Sequence, residues 1–213
     1  MDEMMNKKLS GREYRKILVE DLEARADDNG EKVVEGYATK FNTEYNLWSC
    51  HGYEVNEKIG PNAFAETDMS DVIMQYNHEG RVFARNRNNT LQLFVDEIGL
   101  KIRANLGGTE LGRQLYEEIK GGYTDKMSFG FTVAEDKREE TEDRENGKTT
   151  ILRTITKIKK LYDVSAVSIP ANDATEITAR AYGEGVVAEC REEIAKAEKR
   201  KKQRELIKLL CTV

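Results

Sequence analysis

The 213-residue chain has little of what usually stiffens or staples a protein. Only two prolines occur, Pro61 and Pro170, and both close off apolar segments. Three cysteines (Cys50, Cys190 and Cys211) are odd in number and never stand at Cys-x-x-Cys spacing. That argues against a disulfide framework or a zinc knuckle and for a reducing compartment. No apolar run approaches the ~20 residues that span a bilayer, and MDEMMNKKLSGREYRK lacks the apolar stretch of a secretory signal. The expectation is a soluble, intracellular protein that does not engage a membrane. Histidine is as scarce, with only His51 and His78, and no His-Glu-x-x-His motif occurs, since Gly80 and Arg81 follow His78-Glu79. No metal or other cofactor is expected. The glycines of NLGGTELG lack the Gly-Lys-Ser/Thr ending of a phosphate loop, so Gly107 and Gly108 read as a turn into a helix.

Charge is what the chain does have. Charged residues make up 34% and hydrophobic ones 38%, enough for one core-bearing domain with appendages. Between Val186 and Val213 eight Lys/Arg face five Glu, a net +3, which leaves −8 for the rest of a chain whose total is −5. An acidic body and a basic tail suggest two parts with different jobs, divided here as 1–182 and 183–213. Within the tail, Val187, Cys190, Ile194 and Ala197 fall at helical spacing until Lys201 interrupts the stripe. This predicts a charged helix over about 187–210.

The body reads mainly as strands. Tyr14 to Ala24 and Glu31 to Phe41 form one strand pair about the turn chemistry of Asp28-Asn29-Gly30. A loop covers Asn42 to His51, a strand precedes Pro61, and DVIMQYNH is a buried strand with a polar end. TLQLFVDEIGLKIRANL is a hairpin. GTELGRQLYEEIKGG is a helix, with Leu111, Leu115 and Ile119 four apart, Thr109 as cap and Gly121-Gly122 as stop. EDKREETEDRENGK reads as a solvated hairpin loop, and ILRTITKIKKLYDVSAVSIP as one long bent strand or two short ones.

The stretch KMSFGF poses the functional question. Met127, Phe129 and Phe131 alternate with Ser128 and Gly130, so one face is apolar and the other carries a hydroxyl and then nothing. Such a serine is either an ordinary hydrogen-bonded polar residue or a nucleophile with room above Gly130 for a substrate. The second reading needs a base. His78 ends a strand in MQYNHEG, a position open to a structural or a catalytic role. His51 neighbours Cys50, but adjacent strand residues point to opposite faces, so that pair makes a poor dyad.

The ordered segments IGPNAF, YNHEG, LQLFVDEIGLKIRANL, LYEEIKGGYTDKMSFGF and KLYDVSAVSIPAND resemble the prohead maturation proteases of tailed bacteriophages, over roughly Tyr37 to Arg180. These are similar to herpesvirus assemblins. The resemblance implies an α+β, mainly β fold, with a β-barrel core and surrounding helices, followed here by the charged C-terminal helix. It implies Ser128 as nucleophile, His78 as base and Asp163 of LYDVS as third member, where many relatives carry Glu; Asp173 and Glu79 are fallbacks. Leu161, Asp163 and Ser165 share a face by alternation, so a buried Asp163 needs a charged partner, either His78 or a nearby Lys or Arg.

The implied activity is a serine endopeptidase in the procapsid, within the host cytoplasm. It would cleave scaffold or the scaffold-like arm of the major capsid protein, and itself, without nucleic acid and as a possible homo-oligomer. The tail is then either a solvated helix or a segment that docks on scaffold or capsid protein and is later removed. The alternative is a non-enzymatic assembly or scaffold protein that keeps the fold.

Overall fold

The computed structural model describes residues 12–17, 22–26, 30–50, 52–143 and 148–167. Strands dominate because most segments alternate apolar and polar residues, and an alternating segment buries one clean face only when extended. In chain order the strands are β1 (Glu13–Ile17), β2 (Glu23–Ala26), β3 (Lys32–Lys40), β4 (Tyr45–Cys50), β5 (Tyr53–Ile59), β6 (Ile73–Tyr76), β7 (Glu79–Arg85), β8 (Leu91–Val95) and β9 (Gly99–Asn105). Helix α1 (Glu110–Lys120) follows, then two long strands, β10 (Lys126–Asp143) and β11 (Lys148–Val167).

The strands form two sheets. One has seven strands, with the order β1-β10-β11-β5-β4; β6 pairs with the far half of β11, and β7 with β6. The other is β2-β3-β9-β8, antiparallel throughout. The expected barrel ringed by helices is not built. Among the described residues both sheets stay open, ending at β1, β4 and β7 in one and at β2 and β8 in the other, and α1 is the one α-helix. A barrel needs a continuous ladder around its wall. Here the sheets are joined only locally, as at the Phe41–Ile59 bridge, and pack on each other instead. Val34, Leu100 and Ile102 from one sheet meet Phe129, Phe131, Ile155 and Val164 from the other, with Leu115, Tyr116 and Ile119 of α1 completing the core. Each fully buried side chain of this size contributes roughly 1.5–3 kcal/mol.

The hairpin of β8 and β9, the strand before Pro61 and the helix stand where the sequence predicts them. The Thr109 side chain accepts from the Gly112 amide as the helix cap. Three readings are corrected. The segment expected as one strand from Tyr14 to Ala24 supplies β1 and β2, which belong to different sheets. The loop expected from Asn42 contains β4. The charged stretch after Ala134, expected as a solvated loop, is the outer half of β10, in register with β11 from Glu135↔Lys157 to Asp143↔Lys148. Its charged side chains are tolerated because β11 supplies the buried face there, through Ile151 and Ile155. The expected C-terminal helix and the 182/183 boundary lie outside the described residues. Among the described residues no helix is long and apolar enough to cross a membrane.

Candidate active site

The alternation of β10 sets the site. Met127, Phe129 and Phe131 enter the core, each 0% exposed, which turns Ser128 and Gly130 to the other face. On β11, Ser165 lies opposite Ser128 and Asp163 opposite Gly130. On its other side β11 pairs in parallel with β6, from Asp163↔Ile73 to Ala166↔Tyr76. The turn after β6 therefore hangs beside the serine.

That turn is Asn77-His78, with Tyr76 paired to Glu79 across it and φ of 52° and 62° at its two central residues. Positive φ at both positions is the two-residue hairpin turn that favours Asn followed by Gly. Here histidine takes the glycine position, a conformation that costs a residue with a side chain roughly 1–2 kcal/mol. What the strain achieves is visible in the contacts. His78 Nδ1 lies 2.5 Å from Asp163 Oδ1, and Nε2 lies 2.6 Å from Ser128 Oγ. The three residues named in the sequence thus meet in one chain of hydrogen bonds. Ser128 is 0% exposed and Asp163 1%.

Gly130 does not leave room for a substrate, as the sequence suggested. A Cβ there would stand 2.3 Å from Asp163 Oδ2 and 2.8 Å from the Tyr14 ring, so the space is filled by the protein itself. Two neighbours were missed. The Ser165 hydroxyl donates to Asp163 Oδ1 at 2.9 Å, and the Tyr14 ring lies 4.5 Å from the His78 ring, tilted by 57°. Ser165 could have been found from its period-2 spacing to Asp163; Tyr14 carries no such signal. Of the fallbacks, Glu79 is exposed at the start of β7. Asp173 and His51 lie outside the described residues. Among the described residues no group of three or more His, Cys, Asp or Glu converges as a metal site.

Behind Ser128, across the sheet, lies a second buried cluster. Arg15 of β1 binds Glu57 through Nε and, at 3.0 Å, through Nη2, and its Nη2 also reaches Glu13. Arg153 donates to Glu13 at 2.8 Å, to Glu57 at 2.7 Å and to Asp136 at 2.5 Å, and the Tyr45 hydroxyl donates to Glu57 at 2.5 Å. Burial alone would push the Glu57 carboxyl up, but Arg15 and Arg153, helped by the Tyr45 hydroxyl, outweigh it and hold it at about 2. Burial likewise works against the Arg15 charge, and Glu57 and Glu13 together reverse that effect and raise it. The Tyr45 hydroxyl is pushed well up by burial and by the Glu57 charge.

A serine, a histidine and a buried carboxylate in one hydrogen-bonded line are the arrangement that serine hydrolases reach on unrelated folds. The chain belongs to the caudovirus prohead serine protease family, whose sequence model matches residues 20–187. A solved structure of the bacteriophage T4 capsid assembly protease, gp21, is similar at 12% identity and a TM-score of 0.39, covering 75% of this chain and 97% of that one. That likeness is too distant to assign residue roles. No protein of curated function matches the sequence.

Proposed function

We propose that the chain is a serine endopeptidase that works inside the procapsid, in the host cytoplasm. It trims scaffold, or the scaffold-like arm of the major capsid protein, and also itself. Residues 1–182 are the protease domain, and 183–213 are a basic tail that docks it on the assembly. The observation that carries the reading is the unbroken line Asp163–His78–Ser128.

The roles follow from chemistry. A serine hydroxyl is a weak nucleophile at neutral pH and needs a base within hydrogen-bond reach, which His78 Nε2 supplies. Asp163 accepts from Nδ1–H, so Nε2 presents its lone pair to the hydroxyl, and the imidazolium formed during attack has an anion beside it. The new bond joins Ser128 Oγ to the carbonyl carbon, and the carbon–nitrogen bond breaks. The proton passes through His78 to the leaving amine, and water then hydrolyses the ester by the same route. The bearing of Ser165 on Asp163 supports the orientation of the carboxylate.

The test is Ser128→Ala, co-expressed with the capsid protein and assayed by gel. Shortened capsid chains are expected with the wild type and none with the variant. Stability should fall by about 1 kcal/mol, the worth of a buried hydrogen bond. Normal trimming by a folded alanine variant would falsify the assignment.

A further inference from the structure

As folded, Ser128 is fully buried, and strand β1 runs beside it along β10. Among the described residues β1 is an edge strand, paired with β10 alone, and its register sets Lys16 opposite Ser128. The Ser128 hydroxyl donates to the carbonyl oxygen of Arg15 at 2.7 Å. A hydroxyl has one proton, so the Arg15 carbonyl competes with His78 Nε2, 2.6 Å away, for the same hydrogen bond.

The side chains of β1 are matched as closely as its backbone. Alternation turns Glu13 and Arg15 away from Tyr14, which lies against His78. On that far side Arg15 holds both oxygens of Glu57, and Glu13 takes two bonds from Arg153, at 2.8 and 3.3 Å. Glu57 and Arg153 belong to β5 and β11, and both are 0% exposed. They stay with the body if β1 leaves, one buried acid and one buried base, placed to receive the opposite charges of a strand laid along β10.

We infer that β1 occupies the place of the substrate, and that the site takes an extended segment reading acidic residue, spacer, arginine, cut after the arginine. Glu57 reads the arginine and Arg153 reads the acid. The inference rests on the proposed role of Ser128 and adds the specificity to it. The bond broken is the one that follows the arginine, by the steps given above. Substrate and β1 compete for one sheet edge, so β1 holds the enzyme shut until it is displaced. Edge pairing supplies backbone affinity to any extended chain, while a two-pronged arginine–carboxylate contact supplies selectivity.

The test uses the full chain, a fluorophosphonate probe of Ser128, and two quenched peptides with Glu-Tyr-Arg or Gln-Tyr-Gln before the same following residues. Arg15→Gln should speed labelling of Ser128 by about tenfold or more, since a buried ion pair holding β1 is lost. Glu13→Gln should act in the same direction, and it serves if circular dichroism shows Arg15→Gln unfolded. The wild type should prefer the Glu-Tyr-Arg peptide by about tenfold or more in kcat/KM, and Glu57→Gln should erase that preference. Folded β1 variants that label no faster, or a wild type that cuts both peptides equally, overturn the inference and leave the proposed function standing. A folded protein in which Ser128 is never labelled and neither peptide nor capsid protein is cut overturns both.

Discussion

Asp163 makes its hydrogen bonds through one oxygen. Oδ1 receives His78 Nδ1 and the Ser165 hydroxyl, while Oδ2 is buried, has no hydrogen-bond partner among the described residues, and faces the bare Cα of Gly130. A buried carboxylate with unmet lone pairs is costly unless positive charge forms beside it, and in the proposed mechanism the His78 imidazolium is such a charge. Asp163→Asn keeps the shape but turns an amide N–H toward Nδ1, which forces the wrong tautomer. It should lower kcat/KM by on the order of 10³–10⁴-fold with the fold retained. Peptide kinetics alongside a thermal melt checks this, and a loss of only a few-fold would move the orienting role to another group.

At the scale of elements, the turn between β6 and β7 decides whether His78 reaches Ser128. Its first central residue, Asn77, has φ of 52° and is tied to β11 by its amide, which donates to the Ala166 carbonyl at 3.0 Å. Asparagine tolerates the left-handed region and alanine does not. Asn77→Ala should therefore cost about 1 kcal/mol in urea unfolding and lower kcat by displacing His78. Asn77→Gly should keep the turn and most of the activity. Equal kinetics for the alanine and glycine variants would show that the turn does not set the position of the base. The polar end of the β6 strand was legible in YNHEG. The turn type was not, because a histidine stands where the sequence signal calls for glycine.

For the whole molecule, the buried charges tie β1 to β5, β10 and β11. Glu57 is held near 2 against an ordinary 4.5. Its contribution to stability is complete above about pH 4.5 and is lost as pH falls toward 2, because the unfolded chain binds the proton first. Thermal melts from about pH 7 to pH 2 should show this loss in the wild type and a shallower one in Glu57→Gln. That variant should also be less stable at neutral pH by roughly 3–5 kcal/mol, since it removes a buried anion bonded to both Arg15 and Arg153. Equally steep acid profiles would place the acid sensitivity elsewhere. The charge contrast between body and tail makes a separate prediction. Truncation after Tyr182 should spare cleavage of a short peptide yet reduce packaging into procapsids, and binding of the tail should weaken as salt rises. Packaging equal to that of the full chain would remove the docking role.

Local patterns were enough to mark most elements and to raise Ser128 and His78 as candidates, while the roles of both, and Asp163 itself, came from the resemblance to the prohead proteases. Alternation shows which strand residues share a face, and caps and turn residues act within a few positions. What lay beyond them was anything set by pairing at a distance. The fate of the charged arm after Ala134 depended on β11 offering it a partner, and the open sheets on which edges find hydrogen bonds. Asp163 met His78 rather than a lysine or arginine because β6 joins β11 in parallel and delivers the turn to that side. The same holds for β1. Nothing in Glu-Tyr-Arg announces that the carbonyl of its arginine meets the serine while the side chain enters a buried acid on β5, since Glu57 stands 42 residues from Arg15 and Ser128 stands 113, and only the sheet brings them together.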